Sequence, residues 1–459
     1  MRAGPQANDY TPDPAILQIA AWLGDPVAGA DFPETVLRFR NDRAAASVGL
    51  AGLGEAAWLE HFGRFAPLPG NLPQPLALRY HGHQFRVYNP ELGDGRGFLF
   101  AQLRDDRGRL LDLGTKGSGQ TPWSRAGDGR LTLKGGVREV LATEMLEALG
   151  ANTSKTFSLI ETGEALGRGD EPSPTRSAVM VRLSHGHVRI GSFQRLAALG
   201  ERDHLAALVA YVLATYPGPP PPEDAPGHGE PAVILLHQVV ERLADMAASY
   251  MAAGFVHGVL NTDNMNVAGE SFDYGPWRWL TAWDPTFTAA YFDHAGLYAF
   301  GRQPEAIHWN CAQLAVALRP LCDAPPLVAA LERFGPLYQT ALARRFLERL
   351  GLHARGGARD GALIAAAEAA IRGLALSPDA FFGAARGGAM VGDADYDRLA
   401  ADFMPLPGAR PVPSEAAAAR LDLDEVERVW AAIAERDDWA PFHAKVAAIR
   451  QLGISLAPA

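Results

Sequence analysis

The chemistry with the clearest signature lies in His257-Gly258-Val259-Leu260-Asn261-Thr262-Asp263-Asn264-Met265, with Asp273-Tyr274-Gly275 beginning nine positions beyond Asn264. The amide oxygen of Asn264 and the carboxylate of Asp273 are hard donors suited to Mg²⁺. Asp263, beside them, can accept the proton of an attacking hydroxyl. The spacing predicts two adjacent strand ends joined by the turn Ala268-Gly269-Glu270. Taken singly, each of these residues also serves as an ordinary turn or cap residue.

Three glycine-rich segments precede this pair. In Leu92-Gly93-Asp94-Gly95-Arg96-Gly97, Gly93 and Gly95 let backbone amides approach phosphate oxygens, and Arg96 can add a bidentate contact. Gly114-Thr115-Lys116-Gly117-Ser118-Gly119 puts a Lys at a strand end, where it can reach nucleotide phosphates across a cleft, with Glu139 on the next helix to orient it. The spacing of a Walker loop is absent. Gly127-Asp128-Gly129-Arg130 is a third such turn, able to hold phosphates or simply to reverse the chain. Arg182 and Arg189 flank a strand-to-helix transition and fit either phosphate binding or structural ion pairs.

A glycine loop, a strand Lys, a helix Glu and an Asn/Asp metal pair follow one another here in the order protein kinases use. Val259 stands where a kinase loop of the His-Gly-Asp type carries its catalytic Asp, which sets ordinary phosphoryl transfer apart from this chain. His81-Gly82-His83 lacks partners at metal-ligand spacing and reads as structural.

The elements needed to position these groups are legible. Gly97 to Leu113 reads as a hairpin, Val137 to Leu149 as an amphipathic helix stopped by Gly150, and Thr156–Glu161 and Ala178–Leu183 as strands. From about residue 190, Ala- and Leu-rich helical segments dominate, broken by the proline run at 217–222 and by Pro405 to Pro413, after which a last helical stretch is expected to pack on the second lobe. The expected architecture is α+β and protein-kinase-like. An extension or cap covers 1–75, a mainly β, nucleotide-binding N-lobe with one prominent helix covers 76–190, and a helical C-lobe carrying the metal and catalytic loop covers 191–459.

At 459 residues the chain is long enough for two lobes around a cleft. A formal charge of -10 opposes general electrostatic binding of nucleic acid. The opening segment has no signal-peptide core, and no apolar run reaches membrane-spanning length. With Cys311 and Cys322 as the two cysteines, read as buried free thiols, a reducing, cytoplasmic setting without membrane or nucleic-acid partners is expected.

The segments LGDGRG, GTKGSGQTPWSR, GDGR, LNTDNM and FDYGP resemble those of the selenoprotein O family, the YdiU-like proteins of bacteria, from about Tyr80 to Leu318. That resemblance implies a kinase fold acting as a protein adenylyltransferase. ATP would lie flipped, so that AMP passes to protein hydroxyls and pyrophosphate leaves. It implies nucleotide contacts from Gly93, Gly95, Arg96, Lys116, Asp128, Gly129, Arg182, Arg189 and Asp273, with Glu139 orienting Lys116. It further implies Asp263 as general base, and Asn264 and Asp273 as ligands of Mg²⁺ (or Mn²⁺, with UTP as nucleotide). The expected partners are therefore ATP and acceptor proteins. An ordinary kinase or a silent nucleotide-binding scaffold are the competing readings. Many members carry a Cys or selenocysteine near the C-terminus; this chain ends Gly453-Ile454-Ser455-Leu456-Ala457-Pro458-Ala459, and terminal redox control is not expected.

Overall fold

Seven strands from the first 184 residues order themselves into one antiparallel path in the computed structural model, which describes residues 9–169 and 171–457. Residues 1–8, 170 and 458–459, which include part of the opening segment and of the tail read above, lie outside it. The strands are β1 (Gly24–Pro26), β2 (Val36–Arg40), β3 (Leu76–Leu78), a separate hairpin of β4 (Gly82–Gln84) and β5 (Val87–Asn89), β6 (Leu99–Arg104), β7 (Leu110–Lys116), β8 (Leu131–Thr132), β9 (Lys155–Leu166) and β10 (Thr175–Ser184). The main sheet runs β1-β3-β6-β7-β10-β9-β2, with β8 added to β10.

Both faces of this sheet are covered, which is why β7 is buried along its whole length. The short helices α1 (Ala20–Leu23), α2 (Asp42–Ser47) and α3 (Glu55–Phe62) come from the segment expected as an extension or cap. Trp58 and Phe62 of α3 pack with Phe100, Phe157 and Val181 on one face. That segment also supplies β1 and β2. The other face receives α4 (Leu133–Ala148), which buries Val137, Val140, Leu141 and Met145 at helical spacing. The Thr132 side chain caps α4 by accepting from the Gly135 N–H at 3.1 Å.

The second half is helical as expected: α5 (Ile190–Ala198), α6 (Arg202–Thr215), α7 (Pro231–Ala253), a two-stranded pair β11 (Phe255–Val256) and β12 (Arg278–Trp279), then α8 (Gln303–Leu318), α9 (Ala324–Glu332), α10 (Phe334–Leu350), α11 (Gly357–Gly373), α12 (Pro378–Ala385), α13 (Ala394–Ala400), α14 (Pro413–Ala419), α15 (Leu423–Arg436) and α16 (Ala440–Leu456). α7 starts with Pro231 in its first turn and ends at Gly254, whose φ of 62° supplies the left-handed cap. Cys311 and Cys322 are free and buried. No helix among the described residues is long and apolar enough to cross a membrane.

One expectation is corrected here. The last helices do not pack on the second lobe alone: they cross back to α4 and the sheet. Arg450 of α16 forms a fork on Glu144 of α4 at 2.6 and 2.7 Å, Lys134 of α4 pairs with Glu427 of α15 at 2.7 Å, and Phe442 meets Phe39 of β2 edge-on. The periodicity of a helix shows which face must be buried but not against which partner.

Candidate active site

Strand register brings the first cations together. Met180 lies opposite Lys116 and Arg182 opposite Gly114 on β10 and β7, so Lys116 and Arg182 project from the same face of the sheet. That face floors a cleft of about 810 Å³, bounded by the Gly-rich turns and by the loop after β11. Lys116 Nζ forms an ion pair with Glu139 of α4 and lies 3.2 Å from Asp273 Oδ1. Arg182 Nη1 donates to the same oxygen at 3.0 Å, and Arg189, at the N-cap of α5, donates to Asp273 Oδ2 at 2.9 Å. All three cationic side chains are about 5% exposed. Arg189 is held between the rings of Tyr80 and Phe272, 4.7 and 4.8 Å from its guanidinium carbon.

Asp273 is therefore the shared counter-charge of three buried cations. Burial alone would raise its pKa, but Arg182, Lys116 and Arg189 together hold the carboxyl well below its ordinary range. Its φ of 60° places a non-glycine residue in the left-handed region, a conformation found where surrounding structure over-determines the backbone. Asp263 differs. Burial, partly opposed by Arg189, raises its carboxyl to about 6, and its Oδ1 is buried without a hydrogen-bond partner among the described residues. Asn264 donates from Nδ2 to the Val259 carbonyl at 3.0 Å, which leaves its Oδ1 for another donor or a cation. Asn264, Asp263 and Asp273 all line the cleft. Two or three hard oxygens beside three buried cations have the donor chemistry that suits a hard divalent ion.

The strand ends expected under Asn264 and Asp273 are not there. Asn264 closes the short 3-10 turn Thr262–Asn264, and beyond it the chain makes one tight turn, in which the Gly269 N–H donates to the Asn266 carbonyl at 3.0 Å. The Val267 N–H donates to the Val188 carbonyl at 3.1 Å and the Ser271 N–H to the Asn152 carbonyl at 2.8 Å, so the loop is stitched to the first half of the chain. His257 then ties the two halves of the motif: its Nδ1 accepts from the Val259 N–H and its Nε2 lies 3.2 Å from the Phe272 carbonyl. Burial lowers this imidazole to about 4, so it stays neutral in that role.

Glu270, in the same loop, accepts from the His185 N–H at 2.6 Å and is pushed up to about 7 by burial, with Lys155 opposing. A carboxyl whose folded pKa exceeds its unfolded value favours the fold most below the unfolded pKa, and that advantage is lost as pH rises through about 7. Glu270→Gln keeps the acceptor without the charge. Its thermal stability relative to wild type should rise between pH 5 and pH 8.5 by about 1–3 kcal/mol in thermal denaturation. An unchanged difference at both pH values contradicts this.

The Gly-rich turns stand at the cleft, and their glycines are also required by packing. A Cβ on Gly93 would lie 2.4 Å from the Trp123 ring, and one on Gly129, at φ 70°, would lie 2.2 Å from the Gly119 backbone. The loop from Gln120 to Asp128 folds over Leu92–Gly97: Thr121 Oγ1 donates to the Asp94 carbonyl at 2.6 Å, Ser124 Oγ donates to the Gly95 carbonyl, and Trp123 Nε1 donates to Asp25 at 3.0 Å. Arg96 and Gly95 line the cleft, and Arg96 forms no ion pair among the described residues. Asp128 also lines it, at an exposed position where Arg168 pairs with it at 2.8 Å. The reading of the sequence missed Asp94, which is buried, holds Arg189 Nη2 at 3.2 Å and accepts from the Leu78 N–H at 3.0 Å. An acid between two glycines of a candidate phosphate turn was the available signal. His81 and His83 bond to Tyr88 and Gln194.

Lys116 and Lys134 make a direct comparison. Lys134 is on the outer side of α4 in a part-exposed pair with Glu427, the type of contact worth about 0–1 kcal/mol. If Lys116 binds phosphate as the sequence leads one to expect, Lys116→Ala should lower turnover by about 10²-fold or more, as removal of one preorganised charge does, whereas Lys134→Ala should stay within about twofold. Initial-rate assays of both variants check this, and equal losses contradict it.

Residues 8–385 match the family described as protein adenylyltransferase SelO. The protein nucleotidyltransferase YdiU of Synechococcus elongatus is 51% identical over 344 residues, which cover 74% of this chain and 68% of that protein. YdiU of Gloeobacter violaceus is 43% identical over 483 residues, 96% of this chain and 95% of that protein, and YdiU of a Synechocystis strain is 48% identical over 355 residues, 76% and 73% of the two. All the cleft residues discussed above fall inside the matched span, and the chain belongs to the selenoprotein O (SelO/YdiU) family of protein nucleotidyltransferases.

Proposed function

We propose that this enzyme transfers AMP from ATP to Ser, Thr or Tyr hydroxyls of proteins, in a kinase-like cleft that holds the nucleotide with its β- and γ-phosphates on the buried cations. The observation that carries this reading is the unpartnered, buried Oδ1 of Asp263, in the same cleft as Lys116, Arg182 and Arg189. With the terminal phosphates on those cations and on Arg96, the α-phosphorus is the electrophile left facing Asp263. The acceptor oxygen forms a bond to that phosphorus, and its proton passes to the Asp263 carboxylate. The bond from the α-phosphorus to the oxygen bridging to the β-phosphate breaks, and pyrophosphate leaves with the electron pair. Asn264 and Asp273 would hold a divalent cation, Mg²⁺ or Mn²⁺, which would neutralise charge on the phosphate oxygens when bound. Glu139 orients Lys116, and Gly93, Gly95, Asp128 and Gly129 shape the walls that enclose the rest of the nucleotide.

Incubation with ATP labelled at the α- or the γ-phosphate tests the reading. Label on protein from the α-position alone supports it, from the γ-position alone makes the enzyme a kinase, and from neither leaves a nucleotide-binding scaffold. A parallel arm with α-labelled UTP and Mn²⁺ distinguishes UMP transfer. Val259→Asp adds the acid a kinase loop carries, and with the terminal phosphates buried it should create no γ-transfer.

A further inference from the structure

Exposed apolar side chains gather beside the catalytic loop. Val87 and Tyr88 of β5 are 70% and 38% exposed, and Tyr291 and Phe292 are 81% and 44% exposed. Phe85, in the turn of the β4–β5 hairpin, meets Phe292 edge-on at 5.7 Å between ring centres, and Phe292 meets Tyr291 at 5.1 Å. Phe85, Phe292 and Tyr291 thus form one apolar cluster, with Val87 and Tyr88 exposed on the adjoining strand, and clustered exposed apolar side chains mark a contact site more often than a bare exterior.

The hairpin that carries half of this surface is bonded directly to the loop of Asp263. The His83 N–H donates to Thr262 Oγ1 at 2.7 Å, and the Phe85 N–H donates to Asn261 Oδ1 at 3.0 Å. A Cβ on Gly82 would lie 3.3 Å from Cβ of Asp263, and Gln84 lines the nucleotide cleft. The apolar surface is thus continuous with the rim of the active site. The charge on the hairpin turn is neutralised, because Arg86 pairs with Glu305 at 3.0 Å and lies over the Trp309 ring.

β5 also offers backbone groups. His83 pairs in register with Tyr88, and since the His83 N–H points to Thr262, this is a non-hydrogen-bonded pair whose Tyr88 N–H and C=O face away from β4. No third strand joins this sheet among the described residues. An open edge flanked by apolar side chains is the arrangement that receives an extended polypeptide by strand addition.

We infer that this surface is the docking site of the acceptor polypeptide. An extended segment with apolar residues beside its hydroxyl lies along the free edge of β5, rests those residues on Val87, Tyr291 and Phe292, and delivers the hydroxyl over the rim to Asp263. The inference deepens the proposed function and rests on its assignment of Asp263. A small-molecule acceptor would need none of this surface.

The test uses α-casein, an unfolded hydroxyl-rich chain, as probe. Fluorescein-labelled casein is titrated by anisotropy without nucleotide, and the KM for casein is measured with α-labelled ATP. Tyr291→Ser/Phe292→Ser should weaken casein binding and raise KM by about tenfold or more, as loss of aromatic anchors does, with ATP affinity unchanged. Val87→Ser, made separately on the hairpin, should act in the same direction. Equal casein affinity and equal KM in wild type and both variants overturn the docking site even where α-label is transferred, and so does an absence of casein binding to wild type. Casein that binds through the patch yet receives no α-label upholds the docking site and overturns the adenylyl-transfer reading.

Discussion

Asp263→Asn is expected to bind ATP within a few-fold of wild type and to transfer AMP about 10²–10⁴ times more slowly, the usual loss when a general base is removed. The substitution is chosen to keep the site intact. What Asp263 gives to the scaffold is its backbone carbonyl, which accepts from Arg189 at 2.7 Å, and that bond survives any side-chain change. Its carboxylate Oδ1 makes no bond that folding requires. An amide of the same shape cannot take a proton from the attacking hydroxyl, so the effect should fall on kcat with little change in stability. Calorimetric titration of ATP and single-turnover transfer separate binding from chemistry. Retained transfer would remove Asp263 from the mechanism, and a parallel collapse of ATP affinity would make it a nucleotide-binding residue instead.

The ease with which the site could be read from the sequence varies with the distance over which each contact is set. Lys116 at a strand end and Glu139 on the following helix are linked by one short excursion of the chain, so residue type and order were enough to pair them. Arg182 and Arg189 were visible as a basic pair around a strand-to-helix junction, but their convergence on Asp273 depends on a loop some ninety residues later in sequence. The nature of that loop was misread because its hydrogen-bond partners, Val188 and Asn152, lie in the other half of the chain, and no local pattern encodes them. Asp94 was passed over for a related reason: its place between two glycines was a signal, but a carboxylate in a glycine turn reads as a turn residue until Arg189 is known to reach it. The α+β class was legible, since period-two and helical spacing fall in different halves. The return of α15 and α16 to α4 was not, because burying a helix face can be satisfied by any complementary surface.

Asp273→Ala should have the second large effect, and its two parts should move in opposite directions. Without nucleotide, the carboxylate offsets Lys116, Arg182 and Arg189 at 2.9–3.2 Å in a site where each cation is nearly excluded from water. Glu139 and Asp94 remain as partners of Lys116 and Arg189, but Arg182 has no other acid among the described residues. Removing one member of such a buried set leaves uncompensated charge and costs about 3–5 kcal/mol. The apo variant should therefore melt well below wild type. A nucleoside triphosphate then supplies the missing negative charge, so ATP without divalent metal should raise the variant's melting temperature by more than it raises that of wild type, where the phosphates must displace the carboxylate from its cations. Transfer should behave otherwise. With Asn264 alone in place to hold the metal, activity should fall by about 10²–10³-fold and no longer saturate with Mg²⁺ in the low millimolar range, as expected when a charge-neutralising ligand of the phosphates is lost. Differential scanning fluorimetry with and without ATP, paired with Mg²⁺ titrations of transfer, reads both parts. A variant as stable as wild type in the absence of nucleotide would show that Asp273 is not the counter-charge of the three cations. Wild-type Mg²⁺ dependence would show that it is not the metal ligand, and the two outcomes can be obtained independently.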